Sequence, residues 1–429
     1  MNKSTFIIGF MLFALFFGAG NLIYPPMLGL EAGTSFWSAI TGFVITGVGL
    51  PIFAVAAIAL VKSDERELSD RVHPIFGLIF TSLIYLAIAP FFGIPRAASV
   101  AYEMSVEPFI QTSPWMLFLF TGIFFVLVLI VSLNPAKIVD RIGQLLTPIL
   151  LLSIVVLIVG AVFVLDTPFS EPSPKYASAP FFKGFVEGYL TMDAIGALAF
   201  GIIVVSAYRN EGITKKSTLI KETLKSGLIT GLGLVLVYVS IGWIGAKMGT
   251  FGTFSNGGDI LSAAAEHIFG SFGALLLGVI VALACFTTSV GLVVAAGQFF
   301  SRITKLSYGK VAVLVTLVSF IIANQGLNTI ISISVPVLVF LYPIAIAVII
   351  LAFLYPFLQH KQSVYRGTIF MTALFSLYDG LTAFGFDLST FKPFMVQLPL
   401  FAAGLGWLVP AIIGGIFGHV IGAFNYKKA

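Results

Sequence analysis

Between Thr5 and Phe424 the chain passes through twelve apolar stretches, most of them as long as a bilayer is thick, with short polar gaps between them. A membrane-crossing helix needs roughly 20 mostly apolar residues. The stretches cover residues 5–29, 36–61, 75–104, 115–133, 142–165, 184–207, 226–247, 270–300, 311–324, 329–357, 366–384 and 401–424. No water-soluble interior takes in that much apolar surface. The chain is 59% hydrophobic and only 10% Asp, Glu, Lys or Arg, against about 25% charged in ordinary soluble domains. A disordered chain is excluded on the same ground. A disulfide scaffold is excluded because Cys285 is the only cysteine. The expectation is one all-α polytopic membrane domain over residues 1–429 with twelve transmembrane helices. Residues 251–268 are too polar to span and read as a loop with a short helix on the membrane surface.

The charges orient such a chain. With both termini in the cytoplasm, eighteen of the 23 Lys and Arg residues fall in inside gaps: Lys3, Lys62, Arg66, Arg71, Lys137, Arg141, Arg209, Lys215, Lys216, Lys221, Lys225, Arg302, Lys305, Lys310, Lys361, Arg366, Lys427 and Lys428. Lys175, Lys183, Lys247 and Lys392 lie outside, and Arg96 lies within a span. That bias fits the positive-inside pattern. It also accounts for the net charge of +5 without nucleic acid, since no basic helix is interleaved with exposed aromatics. His73, His267, His360 and His419 are far apart and form no metal-binding pattern. Lys3, the apolar run and Gly18-Ala19-Gly20 have the outline of a signal peptide. Apolar character resumes at Leu22-Ile23-Tyr24, so the segment reads as the first span.

Two spans carry interruptions. The first contains Phe17-Gly18-Ala19-Gly20-Asn21 followed by Pro25-Pro26, and the sixth contains Asp193-Ala194-Ile195-Gly196-Ala197-Leu198-Ala199-Phe200-Gly201. Small residues also serve close helix packing. Here they open each of two five-helix halves and stand beside a polar residue, the pattern of an inverted-repeat carrier. An unwound helix leaves N–H groups that attract an anion and C=O groups that hold a cation. A zwitterionic amino acid with a sodium ion needs both.

Other polar residues lie inside spans. Ala284, Thr287, Thr288 and Gly291 share one face at i, i+3, i+4 and i+7. Their hydroxyl and carbonyl oxygens suit a hard cation, or bond back along the helix. Asp193 balances a substrate ammonium, helps bind a cation, carries a proton, or serves as an ion pair or cap at the break. Asn21 supplies a carbonyl to a cation or caps the broken half-helix. Arg96 and Glu103, seven residues apart, read as a structural salt bridge. Asp379 reads as structural, Glu31 as part of an outer loop, and Phe200 as a pocket wall or core. Walker A and G-x-S-x-G sequences are absent, which disfavours ATP-driven transport and hydrolase chemistry.

The segments Phe16-Phe17-Gly18-Ala19-Gly20-Asn21-Leu22-Ile23-Tyr24-Pro25-Pro26, Ile94-Pro95-Arg96, Glu187-Gly188-Tyr189-Leu190-Thr191-Met192-Asp193-Ala194 and Phe286-Thr287-Thr288-Ser289 together resemble the branched-chain amino acid:cation symporter family, over essentially the whole chain. That family is related to the amino acid–polyamine–organocation carriers. The resemblance implies a leucine-transporter-type fold, with five-helix inverted repeats over 1–165 and 180–357 and two further helices over 366–424. It implies a bacterial cell-membrane symporter for Leu, Ile and Val coupled to Na⁺, with no other cofactor and no obligate protein partner. Gly18-Ala19-Gly20-Asn21 is similar to the helix-1 break of the sodium:neurotransmitter symporters. By that likeness Gly18, Ala19 and Gly20 meet the substrate carboxylate and Asn21 a cation. Apart from that likeness, the second interruption itself offers Asp193, Gly196, Ala197 and Phe200 as further substrate-site residues. Thr287 and Thr288, with the carbonyls of Ala284, Ala14 and Phe17, form the second sodium site. Asp193 as a proton site remains the alternative.

Overall fold

The computed structural model describes residues 3–61, 66–110, 113–133 and 138–426. The inside cations Lys62, Lys137, Lys427 and Lys428 lie outside the described residues. Among those described there is no strand. In chain order the helices are α1 (Lys3–Phe16), α2 (Ala19–Ala32), α3 (Phe36–Val44), α4 (Leu50–Ile58), α5 (Glu67–Asp70), α6 (Pro74–Leu86), α7 (Gly93–Ser105), α8 (Pro114–Leu133), α9 (Ile138–Val164), α10 (Pro180–Glu187), α11 (Asp193–Asn210), α12 (Lys216–Lys247), α13 (Gly257–Ile303), α14 (Tyr308–Ala323), α15 (Leu327–Leu354), α16 (Lys361–Ala383), α17 (Lys392–Met395) and α18 (Leu408–Tyr426). Every apolar stretch falls on helix. Among the described residues, six helical segments are long and apolar enough to cross a membrane alone: Ala19–Ile58, Pro74–Ser105, Pro114–Leu133, Lys216–Thr250, Gly257–Ile303 and Leu327–Leu354.

Several of the long segments are not regular. π-turns at Ile45–Gly49 and Ala87–Phe91 join α3 to α4 and precede α7, the second carrying Pro90, which has no N–H to give the ladder. Gly270 (φ 70, ψ −175) breaks α13. The polar stretch 251–268 therefore divides into a loop and a helix beginning at Gly257, whose N-cap Asn256 accepts from the amides of Gly258 and Asp259.

The chain forms two compact units. One comprises Met1–Val48, Tyr85–Met192 and Lys225–Ser332; the other comprises Gly49–Ile84, Asp193–Leu224 and Ile333–Ala429. In the first, α7 packs along α13, α10 along α3, and α14 against α8. Helices in lipid gain little from hydrophobic sorting and rely on close backbone approach. A Cβ on Gly29 would fall on the Gly242 carbonyl, and one on Gly245 on the Pro26 carbonyl. Thus α2 and α12 touch backbone to backbone. Gly245→Val is expected to disrupt this crossing and lower the melting temperature of the solubilised protein by several degrees, corresponding to roughly 1–3 kcal/mol of overpacking. An unchanged melting temperature would mean that the helices separate freely there. In the second unit α11 packs on α4 and α16 on α18, with Gly367 and Gly414 in backbone contact. Trp115, Phe163, Phe272 and Phe357 stand more than two-thirds exposed, as lipid-facing side chains do.

Candidate functional site

The ladder of α1 ends where the Phe17 amide bonds the Phe13 carbonyl at 2.7 Å. Gly18 is extended (φ −131, ψ −169), and α2 starts at Ala19. The break thus falls within the expected Gly-x-Gly-Asn stretch, and Pro25 and Pro26 lie inside a continuing helix. In an unbroken helix the Gly18 amide would bond the Ala14 carbonyl; instead it donates to Asn21 Oδ1 at 3.1 Å. Asn21, 1% exposed, also donates from Nδ2 to the Tyr238 hydroxyl. Its carbonyl caps the half-helix, the second of the two roles open to it. The Gly18 amide, expected to meet a carboxylate, is thereby engaged within the chain. The first-turn amides of Ala19 and Gly20 have no acceptor within α2.

Thr288 closes on the same break. Its hydroxyl donates to the Phe17 carbonyl at 3.3 Å. Thr287 donates to the Ala284 carbonyl at 2.9 Å. Thr288 is therefore brought to the Phe17 carbonyl where α1 ends against α13, whereas Thr287 bonds back along its own helix to Ala284. Ala14, half-buried, lies one turn before the break. Neutral oxygens of this kind suit a hard monovalent cation.

The second interruption lies earlier than expected. The segment Asp193–Gly201 is helical, within α11. The chain breaks before it, through a 3-10 turn at Gly188–Thr191 and a left-handed Met192 (φ 69, ψ 7). Asp193, 5% exposed, opens α11, where a carboxylate favours the helix dipole. Gly196, Ala197 and Phe200 follow on that helix, Ala197 and Phe200 both buried. A Cβ on Gly196 would meet the Phe200 ring at 3.6 Å. These four residues belong to the second unit, whereas the Gly18 break and the threonines belong to the first.

Arg96 does not pair with Glu103. Seven residues along a helix is about 10 Å of rise, and each finds another partner. Arg96, 3% exposed, donates from Nη1 to the Leu190 carbonyl at 2.9 Å and the Tyr24 hydroxyl at 3.3 Å, and from Nη2 to the Thr191 carbonyl at 3.4 Å. It fastens the carbonyl end of the α10 half-helix, where a cation is favoured. Glu103 accepts from Asn256 Nδ2 at 2.7 Å.

Glu31 is not in a loop but in the last turn of α2. Lys175 bridges it, at 2.7 Å, to Glu187 at the end of α10, and Tyr176 donates to Glu187. This strap joins elements 144 positions apart in sequence. Burial works against the Lys175 charge, but Glu187 and Glu31 outweigh it and hold the lysine above its ordinary value. Burial, then the Glu187 charge, push the Tyr176 phenol well up. A raised lysine pKa keeps Lys175 charged through its ordinary titration range near about pH 10.4, so the lysine's contribution to the strap is lost only in more alkaline solution, while protonation of the carboxylates removes their half in acid. Lys175→Met is expected to destabilise by about 1 kcal/mol, because the lysine is half exposed. A thermal-melt double-mutant cycle with Glu187→Gln should recover most of that loss; full additivity would rule the pair out as a coupled unit.

Comparison with known proteins gives the family. The family model described as "Branched-chain amino acid transport protein" matches residues 1–425. The branched-chain amino acid permease BraB of Bacillus subtilis (strain 168) is 45% identical over 427 residues, 98% of this chain and 96% of that protein. The permease BrnQ of the same organism is 45% identical over 429 residues, 99% and 98% of the two chains. These relatives are permeases, not enzymes. The structure of Mhp1, a nucleobase-cation-symport-1 family transporter, in a closed conformation with bromovinylhydantoin bound, matches with a TM-score of 0.60. That match covers 99% of this chain and 93% of the other at 14% identity. The inward-facing conformation of Mhp1 matches with a TM-score of 0.61 at 14% identity, covering 98% of this chain and 91% of that one. Such a likeness carries the fold alone. By the family match and the full-length identity to permeases, the chain belongs to the branched-chain amino acid transport protein family, whose apolar helices make it a multi-pass membrane protein.

Proposed function

We propose that this protein is a secondary active symporter that brings leucine, isoleucine or valine across a bacterial cell membrane with Na⁺ by alternating access. The reading takes twelve spans in two five-helix repeats, 1–165 and 180–357, with two further helices, and both termini in the cytoplasm. The observation that carries it is the α1–α2 break, where first-turn amides of α2 without a helical acceptor lie beside the Phe17 carbonyl and the Thr288 hydroxyl that closes on it. The amides of Ala19 and Gly20 take the substrate carboxylate. The carbonyls of Ala14, Phe17 and Ala284 and the hydroxyls of Thr287 and Thr288 take Na⁺, the threonine hydroxyls turning their lone pairs to the ion. Asn21 holds the break open rather than serving as a primary ligand. The substrate's branched side chain lies in apolar surroundings, which favour it by about 0.8 kcal/mol per buried CH₂.

The driving force is adequate. One Na⁺ moving down about 100 mV contributes roughly 2.3 kcal/mol, and a tenfold gradient adds about 1.4 kcal/mol. Together they sustain a substrate ratio of several hundred, on the order of 10^2 to 10^3. A rival reading couples transport to protons through Asp193, which is buried at the start of α11.

Radiolabelled leucine uptake into proteoliposomes tests the proposal, with an inward Na⁺ gradient compared against an equal K⁺ gradient and a pH step. Uphill uptake with Na⁺ alone is expected. Uptake that follows the pH step and ignores Na⁺ would overturn sodium coupling in favour of Asp193. Saturation by all apolar amino acids alike would overturn the substrate assignment.

A further inference from the structure

Arg96 is a guanidinium buried in the first turn of α7, and its charge has no carboxylate partner among the described residues. Such a charge is expensive at membrane depth unless it is compensated. Carbonyls and a phenol satisfy Nη1 and Nη2, but Nε is buried with no hydrogen-bond partner among the described residues. Buried N–H groups are nearly always paired, so an orphan asks what occupies it in function. The surroundings answer in part. Gly20, in the first turn of α2, lies so close that a Cβ there would sit 2.5 Å from Arg96 Nη2 and 3.0 Å from its Cζ. The guanidinium therefore packs directly on the first turn of α2, whose Ala19 and Gly20 amides have no acceptor within the helix. A helix N-terminus and a fixed cation both favour an anion, and a guanidinium binds a carboxylate with particular strength and geometry.

We propose that Arg96 is a substrate-binding residue: its guanidinium, with the Ala19 and Gly20 amides, receives the α-carboxylate of the transported amino acid. The inference rests on the reading of this break as the substrate site. It adds a charged side chain to what would otherwise be a backbone-only anion site. It also explains the absence of a Cβ at position 20, since a side chain there would separate the amide from the guanidinium. Arg96 then does two things: it anchors the carbonyl end of the α10 half-helix and draws the substrate carboxylate to the α2 end, so that an arriving substrate links the two breaks.

The test compares leucine with L-leucinamide, which keeps the side chain and ammonium and lacks the carboxylate charge. Each is measured as a competitor of radiolabelled leucine uptake in proteoliposomes of the wild type, Arg96→Lys and Arg96→Gln. Wild type is expected to prefer leucine strongly. Arg96→Gln is expected to weaken leucine about 10- to 100-fold more than it weakens leucinamide, the range for losing a hydrogen bond to a charged group, since loss of the α10 anchor affects both competitors alike. Arg96→Lys, which keeps the charge and loses the fork, is expected between the two. Equal weakening of both competitors would overturn the proposal and reduce Arg96 to an anchor for α10. So would unaltered leucine affinity in either variant. If Arg96→Gln does not reconstitute, the leucine-to-leucinamide ratio in Arg96→Lys decides alone. Failure of wild type to take up leucine at all would instead sink the reading of the protein's function.

Discussion

Gly20→Val is expected to abolish leucine uptake while the protein still reaches the membrane. A Cβ at this position would lie 2.5 Å from Arg96 Nη2 and 3.1 Å from the Thr191 carbonyl. No rotation of the new side chain relieves the clash, because Cβ is fixed by the backbone. Either α2 moves away from α7 or Arg96 gives up its carbonyls. The second course leaves a buried charge short of partners, which costs about 3–5 kcal/mol. As each 1.4 kcal/mol is tenfold, this is roughly 10^2- to 10^3-fold in the population of the competent arrangement. Gly20→Ala meets the same contacts with fewer atoms and should retain traces of activity. The check is uptake normalised to surface expression. Wild-type uptake by the valine variant would show that neither the amide nor the guanidinium is needed where the structure places them.

That residue also shows what could be read beforehand. The α1 break is legible because Gly-x-Gly-Asn combines a residue without a side chain and one able to cap the new helix end, both poor choices for a lipid-facing span. The second break was sought in the small residues from Asp193 to Gly201, yet those residues stay helical. Their smallness serves packing: a Cβ on Gly201 would meet Ile58 at 2.8 Å, and Ala197 is fully buried. The break itself turns on Met192, a non-glycine in the left-handed region, which no compositional cue announces. Arg96 was paired with Glu103 because both lie on one helical face. The pairing fails because the broken α10 offers carbonyls nearer to the guanidinium, an acceptor invisible until the break is placed. Glu31 falls just past the first apolar stretch, which ends at 29 and so reads as loop, yet α2 runs on to Ala32 with Pro25 and Pro26 at its middle. The Lys175 strap reaches back 144 positions to Glu31, and no local pattern encodes it.

The same physical economy governs the proposed cation site, and the two threonines test it differently. Thr288 reaches across from α13 to the Phe17 carbonyl, whereas Thr287 bonds within its own helix to Ala284. With Na⁺ bound, both hydroxyls turn from donor to ligand, and each lost oxygen removes one polar partner from a charge. That loss is about 1.5–3 kcal/mol, or roughly 10- to 100-fold in apparent Na⁺ affinity. Thr287→Ala should therefore raise the half-saturating Na⁺ concentration by that factor, with near-normal leucine uptake at saturating Na⁺. Thr288→Val, which keeps the shape and removes the hydroxyl, should do the same and also loosen the end of α1, so its maximal rate should fall as well. Thr288→Ser keeps the oxygen and should restore both. The measurement is uptake against external Na⁺ at fixed leucine. A Thr287→Ala curve that overlays the wild type would remove this pair from the coupling mechanism. A loss of rate without any shift along the Na⁺ axis would assign the threonines to holding the α1–α13 contact rather than the ion.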